Sequence, residues 1–198
     1  MGFDELSAPR ITVLTKELVK RLLKENKEAY IKIATAASEE AAEDVKEVTG
    51  IGVKPIKTDG KYVDDVLGQY NPVTGYLYYP EADRKRARVA EALIAAIIAG
   101  NRKDYHKELK KFADLWYTQT IQYGETMVDT ARIDTFKKNG IKRVMWRSEN
   151  DNRVCEECKE RDGKIYPIEN IPVKPHYRCR CWVVPMLEKP KKGNNGES

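Results

Sequence analysis

The chain has 198 residues, of which 41% are hydrophobic, and it carries a formal net charge of +5. This apolar fraction excludes a disordered chain. The net positive charge is smaller than that of a protein dedicated to binding nucleic acid. The longest apolar run, residues 89–99, is about half the length of a membrane span, so we expect a buried helix there and no membrane contact. No basic segment followed by an apolar one lies near residue 1, which predicts a protein made and kept in the cytoplasm.

The first three quarters of the chain have the pattern of α-helix. Near the N-terminus, apolar residues recur at helical spacing with charged residues between them: Ile11, Leu14, Leu18 and Leu22. Ser38 is a candidate helix start and Gly50 a candidate stop. The glycine and proline residues of 51–62 predict a loop with at most a short strand, whereas Pro80 predicts the start of another helix.

Tyrosines and then basic residues crowd the stretch around Pro80. Because tyrosine is favoured at interfaces, four tyrosines are candidate contacts with a partner chain: Tyr70, Tyr76, Tyr78 and Tyr79. Tyrosines that cover the apolar side of neighbouring helices would give the same pattern, and we favour that interpretation. A run of basic residues follows: Arg84, Lys85, Arg86 and Arg88. These residues either contact phosphates or form the solvated face of a helix, and we favour the solvated face.

Two further helices are predicted at 102–123 and 125–138, with Gly124 between them. A stripe of large apolar residues at helical spacing indicates a core-facing side on the first of these helices: Tyr105, Leu109, Phe112, Trp116 and Tyr123.

After Gly140 the periodicity changes to that of β-strands. Strands are predicted at 141–148, 164–166 and 181–184, with Val144 and Trp146 on one face of the first, and residues 188–198 are predicted to be a disordered polar tail. The patterns together predict an α+β fold, with a mainly helical N-terminal part and a small C-terminal antiparallel β module.

All four cysteines of the chain lie in this module, next to one of its two histidines. Cys155 and Cys158 form a CxxC pair, and Cys179 and Cys181 form a CxC pair with His176 just upstream. A CxxC pair lets two thiolates converge on one ion, and a second pair completes the tetrahedron that Zn²⁺ prefers. Alternate residues of a strand point the same way, so Cys179 and Cys181 can share an ion. A structural zinc ion would staple a module with few large apolar side chains.

Two sets of four ligands fit the spacing. One set consists of the four cysteines; the other, which we prefer, has His176 in place of Cys181, because an imidazole beside a zinc site is rarely idle. Either set is closed and therefore structural rather than catalytic. Two disulfides, or reduced cysteines packed as small apolar residues, are the alternatives to metal. We expect Arg153 and Arg180 to pair with carboxylates, and leave Arg178 open between pairing and phosphate contact.

A rival pattern joins His106 and Glu108 to the CxxC pair, as in the zinc nucleobase deaminases. Val154 stands where that signature has proline, and the separation between Glu108 and Cys155 is too long for one compact unit. A partly exposed helical histidine is the simpler interpretation. The sequence has no glycine-rich phosphate loop and no Gly-x-Ser-x-Gly elbow, so we predict no catalytic residues and no enzyme. A zinc-ribbon nucleic-acid binder is the other alternative.

The C-terminal motifs resemble those of the phage head morphogenesis proteins, also called phage Mu protein F-like minor head proteins. The resemblance lies in a strand with Trp146, an Asp151-Asn152-Arg153-Val154-Cys155-Glu156-Glu157-Cys158 turn, a Gly163-Lys164 strand and a Pro175-His176-Tyr177-Arg178-Cys179-Arg180-Cys181 ending. Tyr177 departs from the proline that is usual at its position. The resemblance covers about residues 101–185, and 70–88 also resembles the helical arm of such proteins.

This resemblance implies a structural protein inside the capsid of a tailed phage or virus, present in few copies and associated with the portal. It implies a role in head assembly or in genome packaging or delivery, with the portal protein or the major capsid protein as partners and packaged double-stranded DNA as a further contact. It divides the chain into a helical arm for portal or capsid contact at 1–100, a Mu F-like core at 101–187 and the tail at 188–198.

Overall fold

The computed structural model describes residues 8–67, 80–149, 151–176 and 178–187, and its elements confirm the predicted α+β class. The helical part consists of α1 (Ala8–Thr49), α2 (Gly60–Leu67), α3 (Pro80–Ile98) and α4 (Arg102–Lys138). The C-terminal module consists of β1 (Arg143–Arg147), α5 (Glu156–Arg161), β2 (Ile165–Pro167), a 3₁₀ turn (Ile168–Asn170) and β3 (Trp182–Met186). The tail predicted at 188–198 lies outside the described residues.

The two long helices, α1 with 42 residues and α4 with 37, lie side by side and run in the same direction. Two contacts establish the direction: Asn26 Nδ2 donates to Thr120 Oγ1 at 3.2 Å, and further along both helices the hydroxyls of Ser38 and Thr135 are 2.9 Å apart. The face of α1 toward α4 carries small buried side chains, which let the helices approach closely: Ala34, Ala37, Ala41 and Ala42.

Two helix boundaries predicted from the sequence are wrong. Ser38 does not begin a helix but lies fully buried in the middle of α1, where its hydroxyl oxygen accepts a hydrogen bond from the Ile56 backbone N–H at 2.8 Å. Gly124 does not separate two helices, because α4 continues through it, and a Cβ at Gly124 would lie 3.7 Å from Ile33 Cδ1. Packing along α1 outweighs the cost of one glycine inside a helix, which is about 1 kcal/mol.

The aromatic stripe of α4 is core only toward its C-terminal end. Tyr123 is buried and contacts Tyr30 edge to face, with ring centroids 6.2 Å apart. Phe112 and Trp116 are half-buried and Leu109 is 39% exposed. α4 packs against both α3 and α1, and its C-terminal end, with Ile133 and Phe136, also joins the core of the sheet. The spacing therefore predicted the correct face but overestimated its burial.

α3 begins at Pro80, as predicted, and includes most of the apolar run at 89–99. Leu93 and Ala96 are buried, but Ile98 is 60% exposed, so this helix is amphipathic rather than buried on all sides. Among the described helices, none has the length and the apolar character that crossing a membrane requires.

Residues 51–59 form a loop, and α2 follows directly. Within 51–62 no residue is in a strand. Asp59 caps α2, since its Oδ1 accepts hydrogen bonds from the backbone N–H groups of Lys61 and Tyr62 at 3.0 and 3.1 Å. Tyr62 Oη donates to Asp134 Oδ2 at 2.9 Å, which ties α2 to α4.

The three strands form an antiparallel sheet in the order β2–β1–β3. Val144 pairs with Tyr166 on one side and Pro185 on the other, and Trp146 pairs with Val183. Val144 and Trp146 face inward, as predicted, with exposed fractions of 0% and 1%.

One hydrophobic core joins this sheet to both long helices. Its buried members come from α1, α4 and the C-terminal module and include three of the four cysteines: Ala41, Val45, Ile133, Phe136, Ile141, Val144, Trp146, Cys158, Ile168, Ile171, Cys179, Cys181 and Val183. A second cluster lies between α1, α2 and α4. α1 thus contributes to the core of the C-terminal module, and the division of the chain at residue 100 stays a prediction.

Candidate metal centre

Cys155 and Cys158 lie at the start of α5, a helix that the sequence analysis described only as a turn. Cys155 is the N-cap residue with extended backbone, and its Sγ accepts a hydrogen bond from the Cys158 backbone N–H at 3.4 Å. Capping satisfies one of the N–H groups that a helix start leaves without an intrahelical partner. It also holds the Cys155 thiol on the side of α5 where Cys158 lies.

The second cysteine pair comes from the segment that leads into β3. Cys179 and Cys181 are each 4% exposed. Both precede the first strand residue, Trp182, so the strand geometry assumed for them is wrong. Their thiols nevertheless converge with the first pair: Cys179 Sγ lies 3.5 Å from Cys158 Sγ, and His176 Nε2 lies 3.9 Å from the same sulfur.

The donor atoms form two groups that share Cys158. Those of Cys155, Cys158 and His176 lie within 4.8 Å of one another, and so do those of Cys158, Cys179 and Cys181. Two thiolates bound to one tetrahedral zinc ion are about 3.8 Å apart, close to the separation of Cys158 and Cys179. All five residues line a cavity of about 20 Å³, which is room for about one water-sized sphere. The cluster could therefore hold a metal ion.

The cysteines are free thiols, contrary to the alternative of two disulfides. The sulfurs of Cys158 and Cys179, 3.5 Å apart, are well beyond the roughly 2.05 Å of a disulfide bond.

The surroundings of the thiols act on their proton affinities in opposite directions. Burial, followed by the neighbouring thiols, raises the pKa of Cys158, and burial with the nearby Cys179 raises the pKa of Cys181. Burial also acts to raise the pKa of Cys155, but the backbone N–H and thiol of Cys158 and the His176 imidazole lower it on balance. A bound divalent cation would favour the thiolate at each ligand.

Trp146 offers a separate observation on whether a metal fits. Its indole N–H is buried and has no hydrogen-bond partner within the described part of the chain, yet it lies near enough to Cys181 to act on the pKa of that thiol in the lowering direction. Leaving a buried N–H without an acceptor costs about 1–3 kcal/mol. A metal-bound thiolate would supply that acceptor, so the residues present fit Zn²⁺.

An ion pair joins the two segments that carry the cysteines. Both carboxylate oxygens of Asp151 accept hydrogen bonds from Arg180 Nη2, at 2.7 and 2.8 Å. Arg180 stands between Cys179 and Cys181, and its guanidinium holds the pKa of Asp151 below the ordinary value. The expected carboxylate partner of Arg180 is confirmed. Arg153 donates its backbone N–H to Asp151 Oδ1 at 2.9 Å, and the charge of its side chain also acts to lower the pKa of Asp151.

α4 holds the segment that carries His176. Lys174 Nζ lies 2.6 Å from Asp129 Oδ2, and their side chains are 10% and 8% exposed. Burial raises the pKa of Asp129 and of Glu125 one turn earlier, while Lys174 acts against both shifts. Arg178 is exposed, has a φ of 58° and acts to lower the pKa of Glu125. The acidic side chains of α4 thus favour structural pairing for Arg178, and its phosphate contact stays a prediction.

The other predicted contact residues lie away from the cysteine cluster or cannot be placed. Four of them lie outside the described residues: Tyr70, Tyr76, Tyr78 and Tyr79. For three others the structure describes only the helical backbone: Arg84, Lys85 and Arg86. Arg88 is exposed on α3. The roles predicted for these residues stay predictions.

The deaminase pattern is not assembled. His106 is exposed near the start of α4, where its ring contacts that of Tyr105 with centroids 5.4 Å apart. Glu108 pairs with Lys111 at 2.6 Å. Over the residues that the structure describes, neither His106 nor Glu108 joins the cysteines in a group of metal donors.

Sequence reasoning named the five candidate donor residues that the structure brings together, but it missed several of the contacts that hold them in place. The sequence did contain a signal for helix α5, since acidic residues such as Glu156 and Glu157, directly after Cys155, are typical of the first turn of a helix. No sequence signal predicted the pairing of Asp129 with Lys174, because the two residues are distant in the chain and meet only through tertiary packing.

The fold consists of long helices that pack against a small antiparallel sheet, beside which lies a Cys/His cluster that could hold a metal ion. Residues 87–184 match the family model described as Phage Mu protein F like protein. The match begins within α3, covers α4, β1 and β2, reaches into β3, and includes all five donor residues of the cluster. The match over residues 87–184 supports the phage Mu protein F-like family and a protein of the phage head morphogenesis type. The resemblance inferred from the C-terminal motifs is confirmed. No curated protein and no solved structure matches the chain significantly.

Proposed function

We propose that this chain is a structural minor head protein of a tailed phage or virus. It is located in the capsid interior, associates with the portal, and assists head assembly and genome packaging or delivery. The supporting observation is the family match at 87–184. The matched stretch includes most of the buried residues of the core that joins the sheet to the long helices, and all five donor residues of the Cys/His cluster.

In this role the cluster binds one structural Zn²⁺. Cys158 and Cys179 are its central ligands, because both are buried and their sulfurs are 3.5 Å apart. The remaining two ligands come from Cys155, His176 and Cys181. The ion would tie the start of α5 to the segment before β3, and its coordination energy would add to the stability of the fold. Four protein ligands leave no open position for water, in keeping with a structural role and no enzymatic activity.

The proposed partners are the portal protein, the major capsid protein or both, with packaged double-stranded DNA as a further contact. Protein contacts are assigned to the predicted arm at 1–100 and its tyrosines at positions 70, 76, 78 and 79. Contacts with DNA phosphates are assigned to the basic residues at positions 84, 85, 86 and 88 and to Arg178, because cations are the sequence-independent ligands of the DNA backbone.

Purified heads of the phage that encodes the chain provide the test. Mass spectrometry of DNA-filled heads should find the chain in few copies relative to the major capsid protein. The full chain co-expressed with the portal protein of the same phage should elute with the portal ring in size-exclusion chromatography. Absence from the heads, together with normal DNA packaging and infectivity of a deletion phage, would overturn the proposal.

The non-enzymatic part has its own test. The zinc-loaded chain, incubated with single-stranded DNA and with free nucleosides, should release no ammonia, and Glu108→Ala should leave portal binding unchanged. Zinc-dependent deamination that Glu108→Ala abolishes would contradict the structural role.

A further inference from the structure

The outer face of the sheet combines apolar side chains with two arginines. Since Val144 and Trp146 face the core, the alternate residues Arg143, Met145 and Arg147 of β1 face outward. The strand register places apolar residues beside them on both neighbouring strands. The six apolar members of this outer face are Met145, Ile165, Pro167, Trp182, Val184 and Met186, all exposed or half-buried, with Ile165 41% exposed.

The two arginines of the outer face differ from others in the chain. Arg132, Arg161 and Arg180 each form an ion pair with a carboxylate. Arg143 and Arg147 are exposed and form no ion pair with any described residue. The described strands carry no Asp or Glu, so no carboxylate of these strands neutralises the two charges, which are about 13 Å apart along β1.

We infer that the outer face of the sheet binds a protein surface that presents apolar side chains between carboxylates. Trp, Met and Arg are the residue types enriched in protein interfaces, and unpaired arginines bind carboxylates in a two-point geometry. A duplex DNA backbone would use the arginines but leave the apolar side chains without partners. A second copy of the chain would add two more arginines and no carboxylate from its own strands. Charge complementarity therefore favours an acidic protein partner.

The test uses the full zinc-loaded chain with three immobilised probes: the portal ring of the same phage, its major capsid protein, and a 30-bp DNA duplex. The choice of protein probes rests on the proposed function. One variant reverses the charges (Arg143→Glu with Arg147→Glu), and a second places a charge among the apolar side chains (Ile165→Glu). The matched control removes two exposed charges from α4 (Lys103→Ala with Lys107→Ala).

We expect each outer-face variant to weaken binding to one protein probe by at least about tenfold, with the control within about twofold of wild type. The dissociation constant of the wild type should rise with salt, and the charge-reversal variant should lose most of this dependence. Circular dichroism and melting temperature establish that each variant is folded. Because Arg143 and Arg147 are exposed, their double variant decides the matter should Ile165→Glu fail to fold.

Wild-type binding to a protein probe that neither folded variant weakens overturns the inference and leaves the proposed function intact. Loss of binding to the DNA probe alone, or loss of self-association alone as measured by size-exclusion chromatography of the chain itself, likewise overturns it in favour of another occupant. Failure of the wild type to bind either protein probe counts against the proposed function itself.

Discussion

Arg180 and Asp151 connect the two halves of the cysteine cluster from outside it. Asp151 precedes the CxxC pair, Arg180 lies within the CxC pair, and one guanidinium nitrogen reaches both carboxylate oxygens at 2.7 and 2.8 Å. Neither side chain is a candidate ligand. The pair instead fixes the relative position of the segments whose thiols converge, which is the role that outer residues have at metal sites.

Removing this ion pair should weaken zinc retention. Arg180→Ala frees the segment of Cys179 and Cys181 from the Asp151 turn, so we expect the zinc affinity to fall by about two- to fivefold, the effect of a partly exposed ion pair. Competition with a chromophoric chelator measures the affinity. Arg153→Ala is the matched control, because Arg153 hydrogen-bonds Asp151 through its backbone N–H and its side-chain charge is the weakest influence on that carboxylate, so it should retain nearly the wild-type affinity. Equal zinc affinities in both variants would count against a positioning role for Arg180.

Cys158 should be the cysteine on which metal binding depends most. It is 2% exposed and belongs to both donor groups. We expect Cys158→Ser to lose bound zinc and to melt about 5–10 °C below the zinc-loaded wild type, equivalent to a few kcal/mol for a chain of this size. Zinc content by elemental analysis and the melting temperature with and without EDTA are the measurements.

Comparing Cys155→Ser, Cys181→Ser and His176→Ala then identifies the ligand set, because the residue that is not a ligand can be replaced without loss of the ion. If EDTA leaves the melting temperature of the wild type unchanged, the cluster is not a structural zinc site.

The buried ion pair between Asp129 and Lys174 should matter far more than an exposed one. Asp129→Ala removes the carboxylate that pairs with the buried Lys174 ammonium and leaves only the charge of Glu125, beyond ion-pair distance, so we expect a loss of about 3 kcal/mol in the free energy of unfolding. The exposed pair of Lys137 with Glu169 is the control, and Lys137→Ala should cost about 0–1 kcal/mol. Urea denaturation measures both.

Replacing both buried charges, with Asp129→Leu and Lys174→Met, should restore much of the lost stability, because the cost comes from an uncompensated charge and not from the absence of the pair. A double variant no more stable than Asp129→Ala would show that the ion pair itself is favourable.

The cap of α2 should make stability depend on pH in the acid range. The Lys57 ammonium and then the backbone N–H groups of α2 lower the pKa of Asp59 from 3.8 to about 2. Because the folded pKa is depressed, the stabilisation is complete above about pH 4 and is lost as the pH falls toward 2. The melting temperature of Asp59→Ala should therefore lie below that of the wild type at pH 5, and the difference should shrink between pH 4 and 2. A difference that stays constant over this range would contradict a role for the ionised carboxylate.

The sequence predicted the elements whose signals are local. The alternation of Val144 and Trp146 gave the inward face of β1, and Pro80 gave the start of α3. The sequence pattern wrongly predicted a helix start at Ser38 and a helix break at Gly124. Serine and glycine are typical of helix ends, and their tertiary neighbours are unknown at the level of sequence. In the fold, Ser38 hydrogen-bonds across to α4 and Gly124 lies against α1, and this packing overrides the local preference.

The sequence by itself determined which atoms can bind a metal and which family the chain resembles, since thiol and imidazole chemistry and motif order are properties of the residues alone. Tertiary structure decided that Cys158 is the donor shared by both groups and that the pair of Asp151 with Arg180 joins the two cysteine segments. It also decided that Arg143 and Arg147 form no ion pair within the part of the chain that the structure describes. These relationships join residues distant in the chain, and such distances are set only when the sheet, α5 and the long helices pack around one core.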